Sequence, residues 1–170
     1  MIEMLSEKIA LVIKAANPDK TESVLKMKYA LSVYLHLLSI FIFCLIIGLI
    51  TGKTEETIMA LLAFIILRSF SGGKHLRSLE SCLIVSVILI SLIPHIPVKN
   101  DFVIWINITN VLVMILFAPL IKELTNIPTK AIPYLKIISV MIVCINFYIN
   151  SYVIALAFLS QAALLVFWRR

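Results

Sequence analysis

The sequence predicts an all-α polytopic membrane protein of about six transmembrane segments, preceded by an amphipathic helix at the membrane surface. The 170 residues are 62% hydrophobic and 14% charged, where a soluble domain is roughly half apolar and a quarter charged. The apolar residues gather in long runs, and a bilayer requires about 20 of them per helical span. The basic residues crowd into some of the intervening polar stretches and avoid others, which is the asymmetry that orients a membrane protein. Spans consume nearly the whole chain, so residues 1–170 are read as one integral membrane domain with no room for a soluble module.

In MIEMLSEKIALVIKAA, residues 1–16, the apolar Ile2, Leu5, Ile9 and Val12 recur every three or four positions, with Glu3, Glu7 and Lys14 off that stripe. Such a helix is too polar to span and is expected to lie in the interface. Its scattered charges and the lack of a small-residue cleavage site argue against a cleaved signal peptide, so the mature chain is expected to start near Met1. Asn17-Pro18 reads as the N-cap and first-turn proline of a second helix, and residues 29–50 form the first span. TGKTEE, 51–56, is a polar turn, and residues 57–70 are a second, shorter segment. The third covers residues 79–96 and is closed by PHIP and VKND. The fourth covers residues 102–121, and the polar, proline-punctuated KELTNIPTKAIP follows it. Residues 134–168 are too long an apolar run for one span, and the Asn150-Ser151 pair divides them into segments 134–149 and 152–168.

Six segments leave both termini on one side. With that topology all of the 15 basic residues except Lys53 and Lys99 fall on the face that also carries residues 71–78. The positive-inside bias makes that face cytoplasmic. The same bias accounts for the net charge of +6, so no nucleic-acid partner is expected.

The stretch RSFSGGKHLRSLESC, residues 68–82, collects most of the chemistry. Its simplest reading is a positive-inside loop with a glycine turn. Cys82, however, lies just inside a helix start that Ser78 is placed to cap, where unsatisfied N–H groups and the helix dipole favour an anion. A thiolate is favoured there, and more so beside Lys74, Arg77 and a protonated His75. The Gly72-Gly73 turn allows His75 to fold back over the first helical turn, within reach of the thiol, as Cys-His acyl transfer requires. Backbone N–H groups of the turn or helix start are candidates for an oxyanion hole. Glu80 is either a third group that orients His75 or a solvated carboxylate favoured by the dipole.

Elsewhere the side chains read more plainly. Cys44 and Cys144 sit in apolar runs and behave as small hydrophobes, and the three cysteines form neither a disulfide framework nor a CxxC motif. His36 falls in a span, and His95 falls on the opposite face from His75. His75, Glu80 and Cys82 lack a fourth ligand or a metal-site spacing, so no metal or cofactor is expected. Glu55-Glu56 resembles the paired glutamates of an intramembrane protease, but the basic residue expected beyond them is Ala60, which leaves an exposed turn.

Together Arg68, Gly72-Gly73, His75 and Cys82, in the pattern R-x3-GG-x-H-x6-C, resemble the signature of the accessory gene regulator B family of bacterial membrane peptidases. Phe117-Ala118-Pro119, followed by a polar loop with Pro128, is similar to a second element of that family. The likeness covers roughly residues 30–150, and outside these motifs it is mainly one of hydropathy. It implies a bacterial cytoplasmic-membrane cysteine endopeptidase that cuts a quorum-sensing propeptide of the AgrD-like kind and helps close it into a thiolactone or lactone. It implies Cys82 as nucleophile and His75 as base, Arg68 and Gly73 as supporting positions, and a homodimer. Ser69, Lys74 and a less basic 122–130 loop depart from many relatives and bear on which peptide is taken. The alternative is a small membrane transporter or export partner whose 68–82 loop is purely topological.

Overall fold

The computed structural model describes residues 2–18, 21–73, 78–120 and 129–169. Among them are seven α-helices: α1 (Ile2–Ala16), α2 (Val24–Thr51), α3 (Thr54–Ser71), α4 (Leu79–Leu92), α5 (Asn100–Phe117), α6 (Ile132–Ile149) and α7 (Tyr152–Arg169). Short 3-10 turns at Ile93–His95 and Thr129–Ala131 follow α4 and precede α6. The protein is an all-α membrane protein. Three helices, α2, α5 and α6, are long and apolar enough to cross a bilayer. Leu79–His95 and Tyr152–Phe167 are shorter apolar helices. The 18 residues of α3 extend about 27 Å, close to the roughly 30 Å of a hydrocarbon core.

The chain forms two compact units. One comprises Met1–Phe43 and His75–Val87, the other Cys44–Lys74 and Ile88–Arg170. In the first, α1 is helical as its periodicity predicts, but its buried face is Ile2, Ser6 and Ala10, while Leu5 and Val12 are exposed. Small side chains spaced four apart let another surface approach the backbone, and the large ones are left to face outward. Glu7 on α1 accepts a 2.7 Å hydrogen bond from the Lys28 ammonium on α2.

The expected helix start at Asn17-Pro18 is wrong. Asn17 N–H still bonds to Ile13 carbonyl, closing α1, and Lys14 Nζ donates to the carbonyls of Pro18 and Thr21 at 2.6 and 2.9 Å. Asn17-Pro18 therefore terminates one helix, and α2 begins at Val24, behind Ser23, whose Oγ accepts from Lys26 N–H. Proline suits either side of such a boundary, and the lysine that ties up the loop carbonyls decides it.

The second unit is a cluster in which α3 packs on α6 and α7, and α5 packs on the same two helices. Ala60 and Ala63 on α3 and Ala155, Ala157 and Ala162 on α7 are buried, which permits close helix approach. The α2–α3 turn closes with Lys53 N–H on Gly48 carbonyl and Gly52 N–H on Leu49 carbonyl, a Schellman arrangement. The long apolar run divides at Asn150, as expected. Asn150 has φ of 54° and ends α6, and Ser151 Oγ accepts from Ile154 N–H to start α7. The fourth span ends sooner than expected, at Phe117 instead of residue 121, because Pro119 pushes Ala118 into an extended conformation.

The outside of these helices is apolar: Ile137, Met141 and Ile145 of α6, for example, are exposed. The inside holds the polar groups. Asn107, Asn110, Asn146 and Gln161 are buried, and such residues in membrane helices face the bundle interior. Asn146 Nδ2 donates to Asn107 Oδ1 at 2.9 Å and to Ser151 carbonyl at 3.0 Å, and Ser151 N–H donates back to Asn146 Oδ1. Asn110 Nδ2 donates to Ala155 carbonyl at 2.9 Å. These bonds tie α5 to the α6–α7 turn and to the first turn of α7.

Candidate active site

The two ends of the 68–82 motif belong to different units. At the first end, α3 stops because Gly72 adopts φ of 71° and ψ of −165°, a region essentially reserved for glycine. Its N–H completes the helix on Arg68 carbonyl at 3.0 Å. The chain then runs beside the segment after Phe117: Leu120 N–H donates to Ser71 carbonyl at 3.0 Å, and Gly72 forms a parallel bridge with Leu120. A Cβ on Gly72 would lie 2.9 Å from Leu120 carbonyl oxygen, and one on Gly73 would lie 2.8 Å from Arg68 Nη1. The double glycine and the Phe117-Ala118-Pro119 element, read separately in the sequence, are thus two sides of one clasp. The Ala118-Pro119 peptide bond is cis.

Arg68 is half-buried, its guanidinium 5.9 Å from the centre of the Phe64 ring. Its Nη1 donates to Gln161 Oε1 of α7 at 3.3 Å. The other end of that amide donates to Ser71 Oγ at 2.9 Å and to Gly72 carbonyl at 2.8 Å.

At the second end, Ser78 caps α4 as predicted. Its Oγ accepts from Ser81 N–H at 3.1 Å, and its carbonyl takes the N–H of Cys82 at 3.2 Å. Cys82 is therefore the first residue whose N–H is bound within the helix, and its side chain is buried. Glu80 is exposed in the first turn of α4. Ser78→Ala removes one cap bond, worth about 1 kcal/mol. The Ser81 amide is then expected to exchange its hydrogen about fivefold faster, as mass spectrometry of the membrane-inserted protein would read.

His75, with Lys74 and Arg77, lies outside the described residues, as does the loop with Lys122 and Pro128. Cys44 is buried in α2 and Cys144 is exposed on α6. His36 is buried in α2, and His95 is exposed in the 3-10 turn after α4. Among the described residues no three His, Cys, Asp or Glu side chains gather to hold a metal ion.

Sequence reasoning missed Gln161. A single glutamine within IALAFLSQAALLVFW has no motif around it, and its only signal is its type, a hydrogen-bonding side chain in an otherwise apolar membrane helix.

Comparison with known proteins bears on what this arrangement is for. Residues 6–169 match the family described as Accessory gene regulator B. An AgrB-like protein of Halalkalibacterium halodurans is 32% identical over 106 residues, covering 62% of this chain and 53% of the relative. AgrB-like proteins of Listeria monocytogenes serotype 4a and serovar 1/2a are 32% and 33% identical over 123 residues, covering 68% of this chain and 59% of each relative. The chain thus spans a little over half the length of these relatives. No solved structure matches it. A family match over nearly the whole chain and a motif that carries the family's pattern lead to one conclusion: the chain belongs to the accessory gene regulator B family.

Proposed function

We propose that this chain is a cysteine endopeptidase of the bacterial cytoplasmic membrane that cuts a small quorum-sensing propeptide, AgrD-like in kind, and promotes its closure to a thiolactone or lactone. The observation that carries the reading is Cys82 at the end of the Ser78-capped first turn of α4, in a family member that keeps a histidine seven positions before it. The positive face of the helix start favours a thiolate over a thiol.

Cys82 Sγ attacks the scissile carbonyl carbon. His75 takes the thiol proton and returns it to the leaving amine as the C–N bond breaks, leaving a thioester. An internal cysteine thiol of the bound fragment, or a serine hydroxyl, then attacks that thioester and frees Cys82. Thioester exchange to a thiolactone is nearly isoenergetic, whereas forming that bond directly from an amide is uphill. Holding the internal nucleophile against the thioester allows it to outrun water, because orientation supplies large effective molarities. The burial of Cys82 suits an acyl-enzyme that must avoid hydrolysis.

In this reading Arg68, Gly72 and Gly73 support the turn before His75, and Glu80 is a candidate to orient the imidazole. The 68–82 motif and both termini are cytoplasmic, as the distribution of basic residues favours. Membrane lipid and a second copy of the chain complete the surroundings, with α1 and the cytoplasmic loops as docking places for an amphipathic propeptide.

The test is to trap the intermediate. Brief co-expression with the propeptide, followed by acid quench, is expected to yield an enzyme–peptide conjugate that neutral hydroxylamine releases. Peptide mapping is expected to place the conjugate on Cys82. Processing without such a conjugate, or a conjugate on Cys44 or Cys144, would overturn the reading. Unchanged processing by an inserted Cys82→Ala protein, together with peptide efflux that depends on this chain, would favour a transporter.

A further inference from the structure

Within the second compact unit, α5 and α7 border an open groove of about 610 Å³, a volume within the range of roughly 300–1,000 Å³ found for ligand sites. Lys99, Phe102, Trp105, Ile106 and Thr109 line it from the α5 side and Leu159 lines it from α7. The spacing of Phe102, Ile106 and Thr109 puts them on one face of α5, with Trp105 beside them.

The groove changes character from one end to the other. Lys99 stands just before the first residue of α5. Because α5 is long and apolar enough to cross a bilayer, that end lies at a membrane surface. Lys99 is exposed, and among the described residues its ammonium has neither an ion pair nor a hydrogen bond. Phe102 and Trp105 are exposed next to it, where aromatic side chains mark the edge of a membrane. The indole N–H of Trp105 also has no acceptor among the described residues, and such a group is suited to a site with one wet and one apolar end. Deeper in, Ile106 and Leu159 are apolar, and Thr109 Oγ1 donates to Trp105 carbonyl at 2.9 Å. The hydroxyl proton is therefore spent on its own helix, and the far end of the groove suits hydrocarbon.

Length and charge identify the occupant. From Lys99 to Thr109 is ten residues, about 15 Å of helix, which is half of a hydrocarbon core of roughly 30 Å. A helix from a second copy would need a groove that runs the whole span. A lipid tail needs one leaflet, with its headgroup at the polar end. Lys99 is the one charged side chain that lines the groove, and Asp101 does not line it, so the headgroup favoured is anionic.

We infer that the α5–α7 groove is a binding site for one anionic phospholipid. Lys99 Nζ and Trp105 Nε1 meet its phosphate and ester oxygens, and one acyl chain lies along Phe102, Ile106 and Leu159 as far as Thr109. The tail covers apolar surface from both helices, which makes the lipid a second tie between α5 and α7 beside the Asn110 bond to Ala155 carbonyl. The site stands apart from the reaction proposed above and does not depend on it.

The protein carries its own reporter. Tryptophan occurs only at 105 and 168, so the full-length Trp168→Phe protein reports on the groove alone. It is reconstituted in phosphatidylcholine vesicles in which one-tenth of the lipid is brominated in mid-chain, either as phosphatidylglycerol or as phosphatidylcholine. Quenching of Trp105 is expected to show about fivefold tighter binding of the phosphatidylglycerol, the contribution of one lysine beside anionic lipid. Lys99→Gln is expected to remove that preference and Lys99→Arg to keep it. Thr109→Phe, which fills the tail end of the groove, is expected to remove it with Lys99 in place.

Equal quenching by the two lipids, or a preference that survives Lys99→Gln, would overturn the inference. A preference that survives Thr109→Phe would also overturn it, by reducing the effect to surface charge without a groove. Competition by soluble glycerol phosphate would assign the site to a free anion instead of a lipid. Little quenching by either lipid would mean that protein, such as a second copy of the chain, covers the groove, and the lipid site would fall.

Discussion

Cys82→Ala is expected to abolish processing of a co-expressed propeptide while the protein inserts at normal levels. Removal of the nucleophile from a unit of interacting catalytic groups costs about 10⁴-fold or more, beyond the range of a gel-based assay. His75→Ala is expected to cost about 10²- to 10⁴-fold, the usual contribution of a positioned general acid–base, so a faint product band is compatible with the proposed role. Cys44→Ala and Cys144→Ala supply the comparison. Cys44 is buried in α2, and its loss removes a small apolar group from a packed site. Cys144 is exposed on α6, where alanine suits lipid as well as cysteine does. Processing by these two variants is expected to stay within about twofold of the parent. Full activity in an inserted Cys82→Ala protein would end the peptidase reading.

Gly72→Ala is the second change with a large expected effect, and its origin is purely conformational. The backbone at residue 72 sits at φ of 71° and ψ of −165°, where a side chain costs on the order of 1–3 kcal/mol. The added Cβ would also press on Leu120 carbonyl oxygen at 2.9 Å, a backbone atom that cannot rotate away. Relief requires breaking the bridge to Leu120 or giving up the bond from Gln161 to Gly72 carbonyl. Processing per inserted molecule is expected to fall about a hundredfold, as a displacement of roughly 1 Å near a reacting group does. Gly73→Ala is the milder comparison, because the atom it meets is the end of the Arg68 side chain. A Gly72→Ala protein that processes as well as Gly73→Ala would mean that the clasp has no part in activity.

The sequence was legible where hydropathy or a capping residue speaks alone. The apolar runs gave the helices, Asn150-Ser151 gave the break between α6 and α7, and Ser78 gave the start of α4. It misled where two readings share the same residues. Pro119 both completes a recognisable element and ends a helix, and the apolar run on its two sides concealed the stop at Phe117. Asn17-Pro18 fits the beginning of a helix as well as its aftermath, and the choice was made by Lys14, which holds the loop carbonyls. The stripe on α1 pointed to its large residues, yet packing chose Ser6 and Ala10.

The candidate site was legible in part. The residue types and spacing of Arg68, Gly72-Gly73, His75 and Cys82 stood out in the sequence, and Ser78 marked the helix start that precedes Cys82. Sequence gave no task to Arg68, because its partner is 93 positions away in the chain. Asn107, Asn110, Asn146 and Gln161 were passed over for the same physical reason. One amide in an apolar helix changes hydropathy little, and its meaning comes from whichever distant group folding places against it.

Gly72 carbonyl and Gln161 are separated by 89 residues, and that separation sets a schedule. At roughly 5–20 residues per second, a ribosome needs on the order of 5–20 s to travel from one to the other. For most of that interval Cys82 has already been synthesised, while the amide that grips Gly72 does not yet exist. The clasp at Gly72 is thus completed late, when the final helix joins its own unit, and a nascent chain halted before α7 carries that turn without the amide that holds it.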